Sequence, residues 1–195
     1  MSSTSGKRGK REVHLSKALT YVLRHNAVEL GFDIDSGGFI NVEDLLSHSM
    51  FRQFTLDDIK TVVTDNDKQR FSLREHPDSG KLQICANQGH SFSLPDLELA
   101  AITDAAQYPT VVHGTYLKNW EAIKNQGLSR MNRTHVHFAQ GEPGESGVIS
   151  EGLSFFLSKN GVILCPGDQN GFIHPRYFKQ VIQTRPRECQ LIISM

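Results

Sequence analysis

Apolar residues recur at helical spacing through Leu15, Ala18, Leu19, Val22 and Leu23, so residues 15–26 read as an amphipathic helix with one buried face. Arg24 and His25 stand side by side just past the last apolar pair. A fixed cation beside a titratable imidazole on a rigid element suits binding a phosphate and moving charge on it. The same pair also reads as a surface arginine and a helix-end histidine favoured by the macrodipole. Gly31 to Gly38 is a tight connection, Phe39-Ile40 a short strand, and Asn41 the cap of a helix carrying Val42, Leu45 and Leu46. Thr55 and Asp58 form a capping box that starts a third helix through Ile59, Val62 and Val63. Residues 70–74 and 81–86 then alternate as two strands of a hairpin turning at 76–80.

Residues 95–109 mix acidic and small side chains and mark a connector. Beyond it, strands and helices alternate in the manner of an α/β segment. Val111–Thr115 is a strand and turn, 117–124 a helix stopped by Gly127, and Arg133–Ala139 a strand of period two. Leu153–Ser158 and Gly161–Leu164 flank an Asn160-Gly161 turn, and Pro175 can open a last helix through Tyr177, Phe178 and Val181. On one strand, Arg133, His135 and His137 would share a face.

Charge changes the picture little, because Lys+Arg and Asp+Glu are both 21 in 195 residues. Any phosphate-binding surface must be local. Residues 1–11 carry Lys7, Arg8, Lys10 and Arg11 and read as a disordered tail, able to steer RNA, serve as a nuclear address or merely solubilise. No apolar run approaches membrane-spanning length, so no membrane association is expected. Cys85, Cys165 and Cys189 lack ligand or disulfide spacing and read as reduced thiols of an intracellular protein, cytoplasmic, nuclear or both. His135 and His137 have no third ligand at convincing spacing, so no metal is expected. Gly141-x-x-Gly144 lacks the Lys-Ser/Thr of a phosphate loop, and neither a Ser-His-Asp pattern nor paired carboxylates stand out.

Six stretches in order carry a more specific signal: 15–25, Lys68-Gln69-Arg70-Phe71, Ala86-Asn87-Gln88-Gly89-His90-Ser91, His113-Gly114-Thr115, Arg133-Thr134-His135-Val136-His137 and 160–164. Together they resemble the RNA 2′-phosphotransferase family, in its eukaryotic form. The resemblance implies an α+β chain: a basic tail at 1–13, a winged-helix RNA-binding lobe at 14–94 and an ADP-ribosyltransferase-like, NAD-binding lobe at 105–195. It implies removal of the 2′-phosphate from the splice junction of tRNA, with NAD as acceptor, by a monomer. Arg24, His25, Arg70 and Arg133 match the family's catalytic set, with Arg133 reaching the site from the second lobe. His113, Gly114, Thr115, Ser129 and His135 match positions near NAD. One departure stands out. After Val148-Ile149-Ser150 the family continues through a further strand, whereas this chain passes through Glu151–Ser154 straight to Phe155-Phe156. That implies a shortened second lobe, as in a splice form, and leaves a catalytically impaired RNA-binding protein as the alternative.

Overall fold

A computed structural model describes residues 3–65, 67–141, 153–183 and 189–190, with the backbone alone at 3–8 and 189–190. The junction at 148–152, where the sequence departs from the family pattern, lies outside the described residues. The chain is α+β and divides into two compact units, Met1–Glu98 and Leu99–Met195.

The first unit opens with α1 (Ser3–Tyr21). It runs straight into one wide turn of π-helix, Val22–Asn26. The helix thus extends back over the residues expected to be a disordered tail. Lys10, Arg11 and Glu12 are good helix formers, and Arg11 is anchored. Its guanidinium reaches both oxygens of Asp58, at 3.2 and 2.7 Å, and its carbon lies 5.3 Å from the centre of the Phe54 ring. Next come β1 (Ile40–Asn41), α2 (Val42–Ser47), α3 (Leu56–Thr64), β2 (Phe71–Glu75) and β3 (Leu82–Ala86). Asn41 sits at the cap position of α2, but its side chain bonds Asp44 instead of the helix backbone. The Thr55–Asp58 capping box of α3 is fully formed. The three strands make one antiparallel sheet in the order β1-β3-β2. Leu15, Leu19, Val22 and Leu23 are fully buried against Phe51, Ile59 and Ile84. Each such side chain contributes about 1.5–3 kcal/mol of burial.

The second unit is antiparallel throughout its described ladders, so the α/β impression of its sequence does not hold. β4 (Leu99–Ala101), β5 (Val111–Val112), β7 (Val136–Gln140), β8 (Phe156–Ser158) and β9 (Ile163–Cys165) form a five-stranded sheet, order β4-β8-β9-β7-β5. Part of the expected connector is therefore a sheet strand. α4 (Trp120–Gln126) ends at Gly127, whose φ of 98° suits glycine. β6 (Leu128–Ser129) pairs with β10 (Phe172–Ile173), and β11 (Ile182–Gln183) with β12 (Cys189–Gln190). The helix expected after Pro175 is a single 3-10 turn, Pro175–Tyr177, because the chain leaves it in extended conformation at Phe178. The core gathers Leu128, Val136, Phe155, Ile163, Cys165 and Ile173. Cys85 and Cys165 are both buried, and burial pushes the Cys165 thiol upward in pKa. No described helix is long and apolar enough to cross a membrane.

Candidate active site

Arg24 and His25 lie inside the π turn that follows α1. Such a turn widens the helix by one residue and recurs at functional sites. It puts the two side chains in unlike settings: Arg24 is 7% exposed, while His25 is open to solvent. At the end of a helix, backbone carbonyls lose their intrahelical partners. Here the segment that follows β3 supplies one. The Ser91 backbone N–H donates to the Arg24 carbonyl at 2.9 Å, and the Ser91 hydroxyl donates to the same oxygen at 3.2 Å. Ser91 Oγ also lies 3.2 Å from His25 Nδ1. One serine therefore touches both members of the pair.

The same segment reaches Arg70. The Asn87 backbone N–H donates to the Arg70 carbonyl at 2.9 Å, and Asn87 Nδ2 donates to the Gln69 carbonyl at 2.6 Å. Ser72 Oγ donates to Asn87 Oδ1 at 2.7 Å, so the buried Asn87 side chain has both its ends bonded. This network holds Gln69 at a φ of 41°, an unusual conformation for a residue with a Cβ. Between these anchors, Gly89 has a φ of 89°, and a Cβ there would stand 3.1 Å from Arg24 Nη1. Glycine is required twice over, by conformation and by the close pass of the backbone over the guanidinium. Residues 87–91 thus tie together the two arginines and the histidine that the sequence singles out in the first unit. The sequence marked the segment only as part of the resemblance. A glycine among polar residues directly after a strand was the local signal available.

In the second unit the expected alignment of Arg133, His135 and His137 on one strand face does not hold. β7 begins at Val136, so Arg133 and His135 precede it. Arg133 sits in a turn, its N–H donating to the Arg130 carbonyl at 3.1 Å and its own carbonyl accepting from Arg130 Nη1 at 2.5 Å. Its side chain is exposed. His135 is half-buried, with Nδ1 2.9 Å from Thr134 Oγ1 and its ring 6.0 Å edge-on from Phe156. Burial first, and the Arg130 charge second, hold its pKa below the ordinary imidazole value.

Register brings several candidate positions to one end of the sheet. Val112 pairs with Ala139 in an antiparallel ladder, so residues 113–115 continue toward the start of β7, where Arg133 and His135 lie. His113 Nδ1 meets the His137 carbonyl at 2.8 Å, and its ring packs 5.9 Å from Phe138. Gly114 has open space where a Cβ would be, so no crowding requires glycine there. Thr115 Oγ1 accepts from Asn119 Nδ2 at 2.9 Å, and Ser129 Oγ accepts from the Met131 backbone N–H at 3.0 Å. Tyr116, Leu117 and Met131 expose apolar surface beside these loops. No group of three metal-ligating side chains occurs among the described residues.

Two arginines and a histidine whose backbone or ring is tied to one hydrogen-bonded segment are residues suited to handling phosphate groups. Comparison with known proteins gives the family. The profile of the RNA 2′-phosphotransferase, Tpt1 / KptA family matches residues 10–151. The chain is 47% identical to tRNA 2′-phosphotransferase 1 of Danio rerio over 214 positions, covering 95% of both chains. It is 43% identical to tRNA 2′-phosphotransferase 1 of Homo sapiens over 204 positions, covering 94% of this chain and 81% of that one. It is likewise 43% identical to tRNA 2′-phosphotransferase of Saccharomyces cerevisiae over 148 positions, covering 72% and 64%. The chain belongs to the RNA 2′-phosphotransferase family. The Danio rerio comparison runs to 214 positions, whereas 95% of 195 residues is about 185, so a stretch of that relative has no counterpart here.

Proposed function

We propose that this chain removes the 2′-phosphate from the splice junction of ligated tRNA and transfers it to NAD, leaving a 2′-hydroxyl on the RNA and releasing nicotinamide and ADP-ribose 1″,2″-cyclic phosphate. The observation that carries the reading is the frame at 87–91, which grips the backbone at Arg24 and at Arg70 and touches the His25 ring. On this reading the first unit is a winged-helix lobe that presents the RNA phosphate. The helices followed by an antiparallel hairpin support it. The second unit is an ADP-ribosyltransferase-like lobe.

The RNA phosphate is already an anion, so its attack needs no general base. Arg24 and Arg70 hold it with paired N–H donors. The ribose 2″-hydroxyl then attacks phosphorus, giving up its proton as the new P–O bond closes the cyclic phosphate, and the RNA 2′-oxygen leaves with the electron pair of the broken bond and needs a proton. His25 is the group able to deliver it. Arg133 adds a cation against the charge on phosphorus.

NAD serves as co-substrate, accepting the phosphate at the carbon from which nicotinamide departs. His113, Gly114, Thr115, Ser129 and His135 are the residues assigned to it. The loops around them offer uncharged hydrogen-bonding groups beside exposed Tyr116 and Met131, surface against which flat rings stack. Burial, with the Arg130 charge second, lowers the His135 pKa and so favours the uncharged imidazole, as suits a donor or acceptor rather than a fixed charge. No metal is required, because the arginines supply the positive charge.

The missing stretch favours a second reading, an RNA-binding member that turns over slowly or not at all. One experiment separates the two. The full chain is mixed with NAD and an RNA carrying one internal 2′-phosphate. The first reading expects loss of that phosphate and appearance of the cyclic product. It also expects Arg24→Lys and Arg133→Ala to lower the rate by at least about 10²-fold while leaving the circular dichroism spectrum unchanged. Retention of the phosphate with tight, phosphate-dependent RNA binding establishes the second reading. Near-normal turnover by either variant overturns the site assignment.

A further inference from the structure

The two contacts of the Ser91 hydroxyl fix where the His25 ring carries its proton. Ser91 Oγ lies 3.2 Å from the Arg24 carbonyl oxygen and 3.2 Å from His25 Nδ1. A hydroxyl has one proton to give, and a carbonyl oxygen can only accept. If the proton went to Nδ1, two oxygen acceptors would face each other at 3.2 Å with nothing between them. If it goes to the Arg24 carbonyl, the serine oxygen is free to accept from an Nδ1–H, and each contact contains a proton. Only the second arrangement makes both contacts hydrogen bonds. It runs from His25 Nδ1–H to Ser91 Oγ–H to the Arg24 carbonyl.

We infer that Ser91 is a positioning residue, which holds His25 in the tautomer protonated at Nδ1 and so makes Nε2 the nitrogen through which the ring takes up and releases its working proton. The inference rests on the proposed phosphate transfer only for its kinetic consequence. The tautomer itself is a property of the folded chain. The serine is well placed for the task. Its backbone N–H is bonded to the Arg24 carbonyl at 2.9 Å, so the hydroxyl is anchored by the main chain at the point it must serve. The free imidazole side chain prefers its proton on Nε2, so a protein that needs Nε2 open must supply an acceptor at Nδ1. Ser91 is that acceptor. A ring held in the wrong tautomer loses catalytic competence even where its position is kept.

The test uses the full chain with 15N-labelled histidine, His25 being assigned by its loss in His25→Gln. At pH 8, nitrogen shifts and two-bond couplings are expected to place the His25 proton on Nδ1. Ser91→Ala keeps the backbone bond and should move the proton to Nε2, and Ser91→Thr should return it to Nδ1. In the transfer assay Ser91→Ala should lower kcat on the order of tenfold, leave the KM for NAD unchanged, and be rescued by threonine. A wild-type His25 protonated at Nε2, or a tautomer indifferent to Ser91→Ala, overturns the inference. So does a kcat for Ser91→Ala within twofold of wild type in an active protein. If the chain proves inactive, the proposed function fails while the spectra still decide this point.

Discussion

At the scale of single residues, the backbone constraint that bears most directly on Arg24 is at Gly89. Its φ of 89° lies in the region where a Cβ meets the backbone, and the added methyl would sit 3.1 Å from the Arg24 guanidinium. The conformational part alone costs about 1–2 kcal/mol. The contact is with the far end of a side chain, so Arg24 is what yields. Gly89→Ala should therefore do two separable things: lower the thermal midpoint modestly, and weaken phosphate transfer further than that loss explains, because Arg24 is displaced. Differential scanning calorimetry alongside the transfer assay checks this. A variant with a lowered midpoint and unimpaired turnover would show that Arg24 need not lie where the glycine lets it lie. Arg24, His25 and Arg70 were legible in the sequence as residue types suited to phosphate. The frame around them was not, because it is built largely from bonds to main-chain groups and from two positive φ angles, at Gln69 and Gly89, which leave no periodicity to read.

At the scale of elements, the sequence was most readable where an element has its own signal. The apolar stripe of α1, the Thr55–Asp58 box and the Asn160-Gly161 turn all occur where expected. It was least readable where strands are two or three residues long, as in β4 and β10, since pairing with a neighbour alone decides them. Arg133 and His135 illustrate the point: their alternation with Val136 looks like strand, but the bond from Arg133 N–H to the Arg130 carbonyl makes a turn. The start of α1 was missed for another reason. Its anchor is a long-range pair, Arg11 with Asp58, that joins α1 to the first turn of α3. The Arg11 hydrogen bond, aided by those from Thr55, lowers the Asp58 carboxyl to about 2. A carboxylate depressed in the folded state stabilises above its unfolded pKa of about 4, and that contribution is lost as pH falls from there through 2. The pair lies at the surface, so solvent screens it and its contribution is small. The difference in thermal midpoint between wild type and Arg11→Ala should be steady from pH 7 to 5 and shrink toward pH 2. A difference that persists undiminished at pH 2 would trace the anchoring to the Phe54 stacking instead.

At the scale of the whole molecule, the two units are unequally provided. Fifteen buried residues close the core of the first, centred on α1 and the β1-β3-β2 sheet, against six in the core of the second among the described residues. The second unit also runs through short strands, and the 214-position comparison with the Danio rerio relative is longer than the part of this chain it covers. A unit that buries less apolar surface is held by less burial free energy, and on that ground it is expected to be the first to open. Urea should therefore unfold the chain in two steps. Circular dichroism at 222 nm should follow mainly the later, helix-rich first unit. The fluorescence of Trp120, the single tryptophan and a residue of α4, should follow the earlier one. A ligand that binds only the folded second unit raises that step alone, by RT ln(1 + [L]/Kd), which is about 2.7 kcal/mol at a hundredfold excess over Kd. Adding NAD should thus move the fluorescence transition to higher urea and leave the later one in place. Coincident transitions, shifted together, would mean that the units unfold as one body. A fluorescence transition indifferent to NAD would instead mean that the second unit does not hold the dinucleotide, and the RNA-binding reading would then account for the chain.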